Sequence, residues 1–286
     1  MKHICASCTS SSIEKVIKSN HKQTPEWLSK VNYLKLFINS TPLKLYTQKE
    51  TTMNMTINIG AKHANRTILF WAAKPYNKND NRLVIKNAKD AYMSHNHSFM
   101  NHGVAKSDSN GNLFIKLNCP QPYYTKEKGR TYNESYYRHI HFCVSNIKNT
   151  QWLTDVYTKV VLYSMTLKET MFEHKKQDIV LINSLPCEYY AKEHIPNSFN
   201  LPVNTVKTMT KSQLIRWFTD VIQCNYPKIT QSIKSGKMAI FEVPIVVYCA
   251  HKECNASYEC AMELMRKHFI NVRDFEGGMK EYKKNI

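Results

Sequence analysis

Apolar and polar positions change their period partway along the chain. Met53 to Ile59 alternates apolar and polar side chains with the period of a half-buried strand. Thr67 to Ala72 is rich in β-branched and aromatic residues, and Leu113 to Leu117 follows the polar turn Asp108-Ser109-Asn110-Gly111. His139 to Val144 alternates again. Short strands, polar turns and little helix predict an all-β sandwich over residues 51–165. From residue 172 to 286, strand-like apolar runs alternate with helical periodicity, which predicts an α/β domain with a central parallel sheet. The boundary is expected at 163–175, around Met165-Thr166-Leu167-Lys168-Glu169. Residues 1–50 read as irregular, with some helical periodicity over 12–19 and 25–37.

A length of 286 residues suits two domains that each bury a core. No apolar run approaches the roughly eighteen residues of a membrane span. Met1-Lys2-His3-Ile4-Cys5 lacks the apolar stretch of a secretory signal, so the nine cysteines are expected to be free thiols in an intracellular, cytoplasmic setting. Cys5-Ala6-Ser7-Cys8 has no second ligand pair nearby and reads as a tail. The formal charge of +18 attracts polyanions. Its lysines are spread along the chain, so weak polyanion binding by a solvated surface is expected rather than a nucleic-acid groove. Scarce glycine with plentiful Lys, Asn, Ile and Tyr fits an AT-rich genome, such as that of a parasite or a large DNA virus.

One cysteine stands where chemistry is expected. Ile245-Val246-Val247-Tyr248 reads as a buried strand with Cys249 at its end, and residues 250–256 turn into a helix starting near Ser257. A thiol there is expected to face loop amides and the positive end of a helix, which would lower its pKa toward the thiolate. Asp178 to Asn183, Glu188-Tyr189-Tyr190 with His194 to Pro202, Val246 to Cys249, and Asn271 to Tyr282 with its Gly277-Gly278 pair occur in one order. In these four pieces the chain resembles a rhodanese-like domain over residues 172–286.

That resemblance implies a sulfurtransferase. Cys249 would attack the outer sulfur of a donor such as thiosulfate and carry it as a persulfide to an acceptor, either a small molecule or a protein thiol. The amides of Ala250, His251, Lys252, Glu253, Cys254 and Asn255 would cradle the anion, with His251 and Lys252 adding positive charge. Sulfur transfer would need no cofactor. Two departures stand out. No arginine occurs between Cys249 and Arg266, which disfavours phosphatase chemistry, and Asn183-Ser184 stands where the family commonly has a bracing Asp and Arg. Cys254, five residues on, is a candidate resolving thiol for a persulfide or sulfenate.

In the β-rich half, His139 and His141 lie two apart on a strand, so both imidazoles project from one face, with Tyr123 upstream. Gly103 to Phe114, Pro120-Gln121-Pro122-Tyr123, His139-Ile140-His141-Phe142 and Thr150 to Thr154 are similar, in order, to the core of intradiol ring-cleaving dioxygenases. That family has a transthyretin-like sandwich binding iron through two Tyr and two His. The resemblance implies iron or another transition metal held by Tyr123, His139 and His141. Tyr76 and Tyr92 do not match the spacing of the other tyrosine, and Tyr92 to His97 with His102 could build a different site.

The leading expectation is a Cys249 sulfurtransferase with an appended metal-binding β-sandwich. One alternative is a non-catalytic basic interaction or structural protein, located in the virion if the source is viral. Another is iron-dependent ring cleavage in the N-terminal half. The oligomeric state stays open.

Overall fold

A computed structural model describes residues 17–19, 52–75, 84–85, 101–125, 134–150 and 152–285. The Cys5-Cys8 pair, the helical periodicity at 25–37, Tyr76, and Tyr92 to His97 lie outside the described residues. Contacts divide the chain into two units, Met1–Val161 and Leu162–Ile286.

The described part of the first unit is built of strands: β1 (Ile17–Ser19), β2 (Thr52–Asn58), β3 (Thr67–Ala72), β4 (Val84–Ile85), β5 (His102–Lys106), β6 (Asn112–Asn118), β7 (Tyr123–Thr125), β8 (Glu134–Tyr136), β9 (His139–Ser145) and β10 (Trp152–Val160). They form a five-stranded antiparallel sheet in the order β1-β10-β9-β3-β5, the antiparallel pair β2-β6, and the small sheet β4-β7-β8. β3 lies between two partners and buries Ile68 through Ala72. β6 keeps the alternation read from its sequence, with Leu113, Ile115 and Leu117 buried and Phe114 and Lys116 exposed. The turn before β6 is fixed by Asp108, whose Oδ1 accepts from the Asn110 and Asn112 amides at 2.8 and 2.7 Å. Ile17–Ser19, at the end of the segment expected to be partly helical, is instead a strand on the edge of the larger sheet. Pairing with Val156 to Thr158 of β10 overrides a weak local periodicity there.

The second unit is α/β. A parallel sheet in the order β11-β15-β14-β12-β13 comprises β11 (Tyr163–Ser164), β12 (Val180–Asn183), β13 (Phe199–Asn200), β14 (Ile245–Tyr248) and β15 (Val272–Phe275). β12, β14 and β15 are buried at every position, as parallel strands with both faces covered require. The helices are α1 (Leu167–Lys175), α2 (Cys187–Lys192), α3 (Val203–Thr208), α4 (Lys211–Asn225), α5 (Pro227–Lys234), α6 (Ala256–Arg266) and α7 (Gly278–Lys284). Capping boxes start α1 at Thr166/Glu169 and α4 at Thr210/Gln213. α4 buries Leu214, Phe218 and Ile222 on one face, and α6 buries Cys260, Ala261, Leu264 and Met265. No described helix is long and apolar enough to cross a membrane.

Candidate active site

Cys249 follows β14 directly and is fully buried. Three other stretches of the chain fix its backbone. Ser184 donates to the Tyr248 carbonyl through its amide at 3.0 Å and its hydroxyl at 3.1 Å. The Tyr248 hydroxyl accepts from the Ile195 amide at 2.9 Å and meets Ser198 Oγ at 2.8 Å, which ties the His194 to Pro202 segment to the strand. At the start of α7, the Met279 and Lys280 amides donate to the carbonyls of Cys249 and Ala250 at 2.9 and 2.8 Å. That approach requires Gly278. Its φ is +57°, and a Cβ there would sit 2.4 Å from the Cys249 carbonyl oxygen. The Asn183-Ser184 pair, read as a departure from a bracing Asp and Arg, therefore braces this site through Ser184, while Asn183 Oδ1 receives the Leu185 amide at 2.9 Å.

The environment of the sulfur differs from the expected amide cradle. Cys249 Sγ lies 3.2 Å from the Cys254 carbonyl oxygen, 3.7 Å from that of His251 and 3.4 Å from Ser257 Oγ. The Cys254 amide donates back to the His251 carbonyl at 2.9 Å, so it closes a turn rather than facing the sulfur. The amide that does favour the thiolate belongs to Ser257, in the first turn of α6. α6 begins after Asn255, whose side chain makes no capping bond. The expected lowering of the thiol pKa is thus overturned: burial pushes Cys249 up to about 11, against weaker help from Ser257. In the same loop His251 pairs with Glu253 at 3.0 Å, both exposed, and Lys252 is exposed as well. Cys254 is half-buried, and its side chain also opposes ionisation of Cys249.

Two further buried polar residues of this unit were not singled out from sequence, and the first lies 3.4 Å from the sulfur. Ser257 is buried on α6, and Asp274 is buried on β15 between Arg273 and Phe275. Burial pushes the Asp274 carboxyl up to about 7, and the hydroxyl of Ser257 is the side chain that favours its ionised form. The available signal was a carboxylate in the middle of a run that reads as a core strand.

In the first unit, His139 and His141 do come together, with ring centroids 4.7 Å apart and Nε2 atoms 3.2 Å apart. His139 Nδ1 meets the Tyr137 carbonyl at 2.7 Å, and His141 Nδ1 meets Thr158 Oγ1 at 2.8 Å. The Tyr123 ring stacks on Tyr136 at 4.8 Å and lies 6.0 Å from the ring of His139. Burial and the neighbouring His139 hold His141 well below the ordinary imidazole range. Among the described residues, no group of three or more His, Cys, Asp or Glu could hold a metal ion.

No protein of curated function matches the chain. Solved structures similar to it include a Bacillus halodurans protein, 20% identical, covering 43% of this chain and 72% of that one with a TM-score of 0.30. The human single domain sulfurtransferase TSTD1 is 15% identical, with 44% and 99% covered and a TM-score of 0.32. The Saccharomyces cerevisiae single domain sulfurtransferase RDL2 is 14% identical, with 43% and 90% covered and a TM-score of 0.29. The family model of the rhodanese-like domain matches residues 166–285, and this stretch forms a rhodanese-like α/β domain around a parallel sheet.

Proposed function

We propose that the C-terminal unit is a sulfurtransferase in which Cys249 carries sulfane sulfur as a persulfide. The observation that carries this reading is the placement of one buried thiol at the C-terminal end of a central parallel strand and against the first turn of α6. With thiosulfate as donor, the Cys249 thiolate attacks the outer sulfur. A Cys–S bond to that sulfur forms, the donor S–S bond breaks and sulfite leaves with the electron pair. A nucleophilic acceptor then takes the sulfur and returns Cys249 as a thiolate. Cys254, five residues on in the same loop, is the resolving thiol when no acceptor is bound. Its thiolate attacks the inner sulfur, hydrosulfide leaves, and a Cys249–Cys254 disulfide remains for an external dithiol to reduce.

Intact mass after incubation with thiosulfate, and separately with 3-mercaptopyruvate, tests this. Wild-type protein is expected to gain one sulfur atom and Cys249→Ser none, while Cys254→Ser keeps its sulfur longer than wild type. A folded wild-type protein that gains sulfur from neither donor would end the reading.

The close approach of two Nε2 atoms supports a second reading, for the N-terminal unit. His139 and His141 are paired nitrogen donors to a transition-metal ion, iron by the resemblance to intradiol dioxygenases. Their Nδ1 atoms are engaged by Tyr137 and Thr158, so Nε2 is the nitrogen each ring presents. Tyr123 is the nearby phenol. Elemental analysis of the full chain is expected to find bound metal that His139→Ala and His141→Ala both lose; wild-type protein free of metal after growth in supplemented medium would rule it out.

A further inference from the structure

We propose that the N-terminal unit binds single-stranded nucleic acid at Phe114, with a base stacked on the ring and neighbouring phosphates met by Lys106 and Lys116. The proposal stands apart from the Cys249 reading and uses none of the residues given to a metal.

Phe114 sits between Leu113 and Ile115, both buried in the core, yet its ring is 62% exposed on the opposite face of β6. A lone exposed ring is ordinary; its setting is what matters here. Phe114 walls a cavity of about 520 Å³ together with Thr56, Asn65, Lys106, Ser107 and Asp108. Thr56 stands opposite Phe114 in the β2–β6 register and is exposed.

The polar side of this cavity is built before any ligand arrives. Asn58 Nδ2 donates to Asn112 Oδ1 at 2.8 Å, and Asn112 Nδ2 donates to Asp108 Oδ2 at 3.0 Å. The Asn65 amide donates to the Asp108 carbonyl at 3.1 Å, and Ser107 Oγ donates to the His63 carbonyl at 2.6 Å. Among the described residues, by contrast, the side chains of Thr56, Asn65 and Lys106 make no hydrogen bond or ion pair. A fixed frame therefore presents free donors and acceptors beside an aromatic face, the arrangement of a preformed binding site.

Charge selects the ligand. Lys116 lies two residues beyond Phe114 on the same face, is exposed, and has no ion-pair partner among the described residues. Asp108 is the carboxylate lining the cavity, and its oxygens are already engaged by the Asn110 and Asn112 amides and by Asn112 Nδ2. Two unpaired ammonium groups beside one aromatic face, in a chain of formal charge +18, match a base with its adjoining phosphates. A neutral sugar would use the ring and the amide but leave both ammonium groups idle. A duplex keeps its bases stacked on each other, so the single strand is the form that offers one to Phe114. The polyanion attraction expected of the whole surface is thereby focused on one face.

Fluorescence anisotropy of a labelled deoxythymidine octamer with the full-length chain tests this, over salt from about 50 to 300 mM. An abasic octamer of the same charge and neutral maltotetraose are the comparison probes. Wild type is expected to bind the deoxythymidine octamer more tightly than the abasic one, and Phe114→Ala to lose on the order of ten- to a hundredfold and make the two equal. Phe114→Trp should restore the difference. Lys106→Ala and Lys116→Ala should each flatten the dependence of log affinity on log salt by roughly 0.7. Phe114 is on the surface, so its variants are expected to fold, which circular dichroism checks. Octamers bound equally by wild type, or not bound at all, would overturn the proposal, the former leaving diffuse charge alone. Maltotetraose bound through Phe114, with nucleic acid indifferent to that residue, would overturn it in favour of a sugar platform.

Discussion

Cys249 and Gly278 depend on each other through one carbonyl oxygen. The α7 amides reach the Cys249 and Ala250 carbonyls only because residue 278 has no Cβ and adopts φ +57°. Gly278→Ala combines an unfavourable left-handed backbone with a contact of 2.4 Å to backbone, where no flexible side chain can yield. We expect a loss of roughly 2–4 kcal/mol, the sum of left-handed strain and steric displacement. Urea unfolding should show a lower midpoint with unchanged slope. An unchanged midpoint would mean that α7 does not hold the cysteine loop. The residue scale also shows what reading the cysteine alone misses. Strand, cysteine and helix were visible in order, but the sign of the pKa shift was not. That sign depends on burial, and the carbonyls of His251 and Cys254 face the sulfur where amides were expected.

Elements with their own strong pattern were legible. Thr67–Ala72 is a strand over the residues read from composition, and Met53 to Ile59 and Asp178 to Asn183 correspond to Thr52–Asn58 and Val180–Asn183. β6 and β9 each extend the predicted run by a residue or two. The elements that escaped are short and take their conformation from a partner. Ile17–Ser19 is a strand because β10 offers it an edge, and Tyr163–Ser164 because β15 does. Two or three residues carry too little periodicity to announce either. The second case extends the parallel sheet, since Ser164 pairs in register with Asp274, and the Met165 amide donates to the Asp274 carbonyl at 2.7 Å.

For the whole molecule, the buried ionisable groups give the two units opposite responses to pH. In the C-terminal unit, burial raises Asp274 and Glu242 to about 7. Between about pH 4 and 7 the folded state therefore holds protons that the unfolded chain has released, and stability falls as pH rises through that window. His268, lowered by burial and Lys211, opposes this in the same unit and is outnumbered. In the N-terminal unit, burial lowers His141 and His63. The unfolded chain then takes protons that the folded state refuses, so stability falls as pH drops through about 6.5. Calorimetry at pH 5 and 7.5 is expected to resolve two transitions moving in opposite directions, with the C-terminal one identified by its shift in Gly278→Ala. Transitions that move together would contradict the burial of these groups.

The sequence by itself determined the change from period-two strands to alternating strands and helices, the strand–cysteine–helix order, and the glycine pair at the closing helix. All are local, written in side-chain periodicity and in backbone positions that only glycine tolerates. Tertiary structure alone decided that Cys249 is buried against carbonyls, that Ser184 braces its strand from 64 residues away, and that Ser257 of α6 stands 3.4 Å from the sulfur. It also closed the two histidine Nε2 atoms to 3.2 Å. Proton affinity is set by desolvation and by neighbours distant in the chain, and neither exists until the chain has folded.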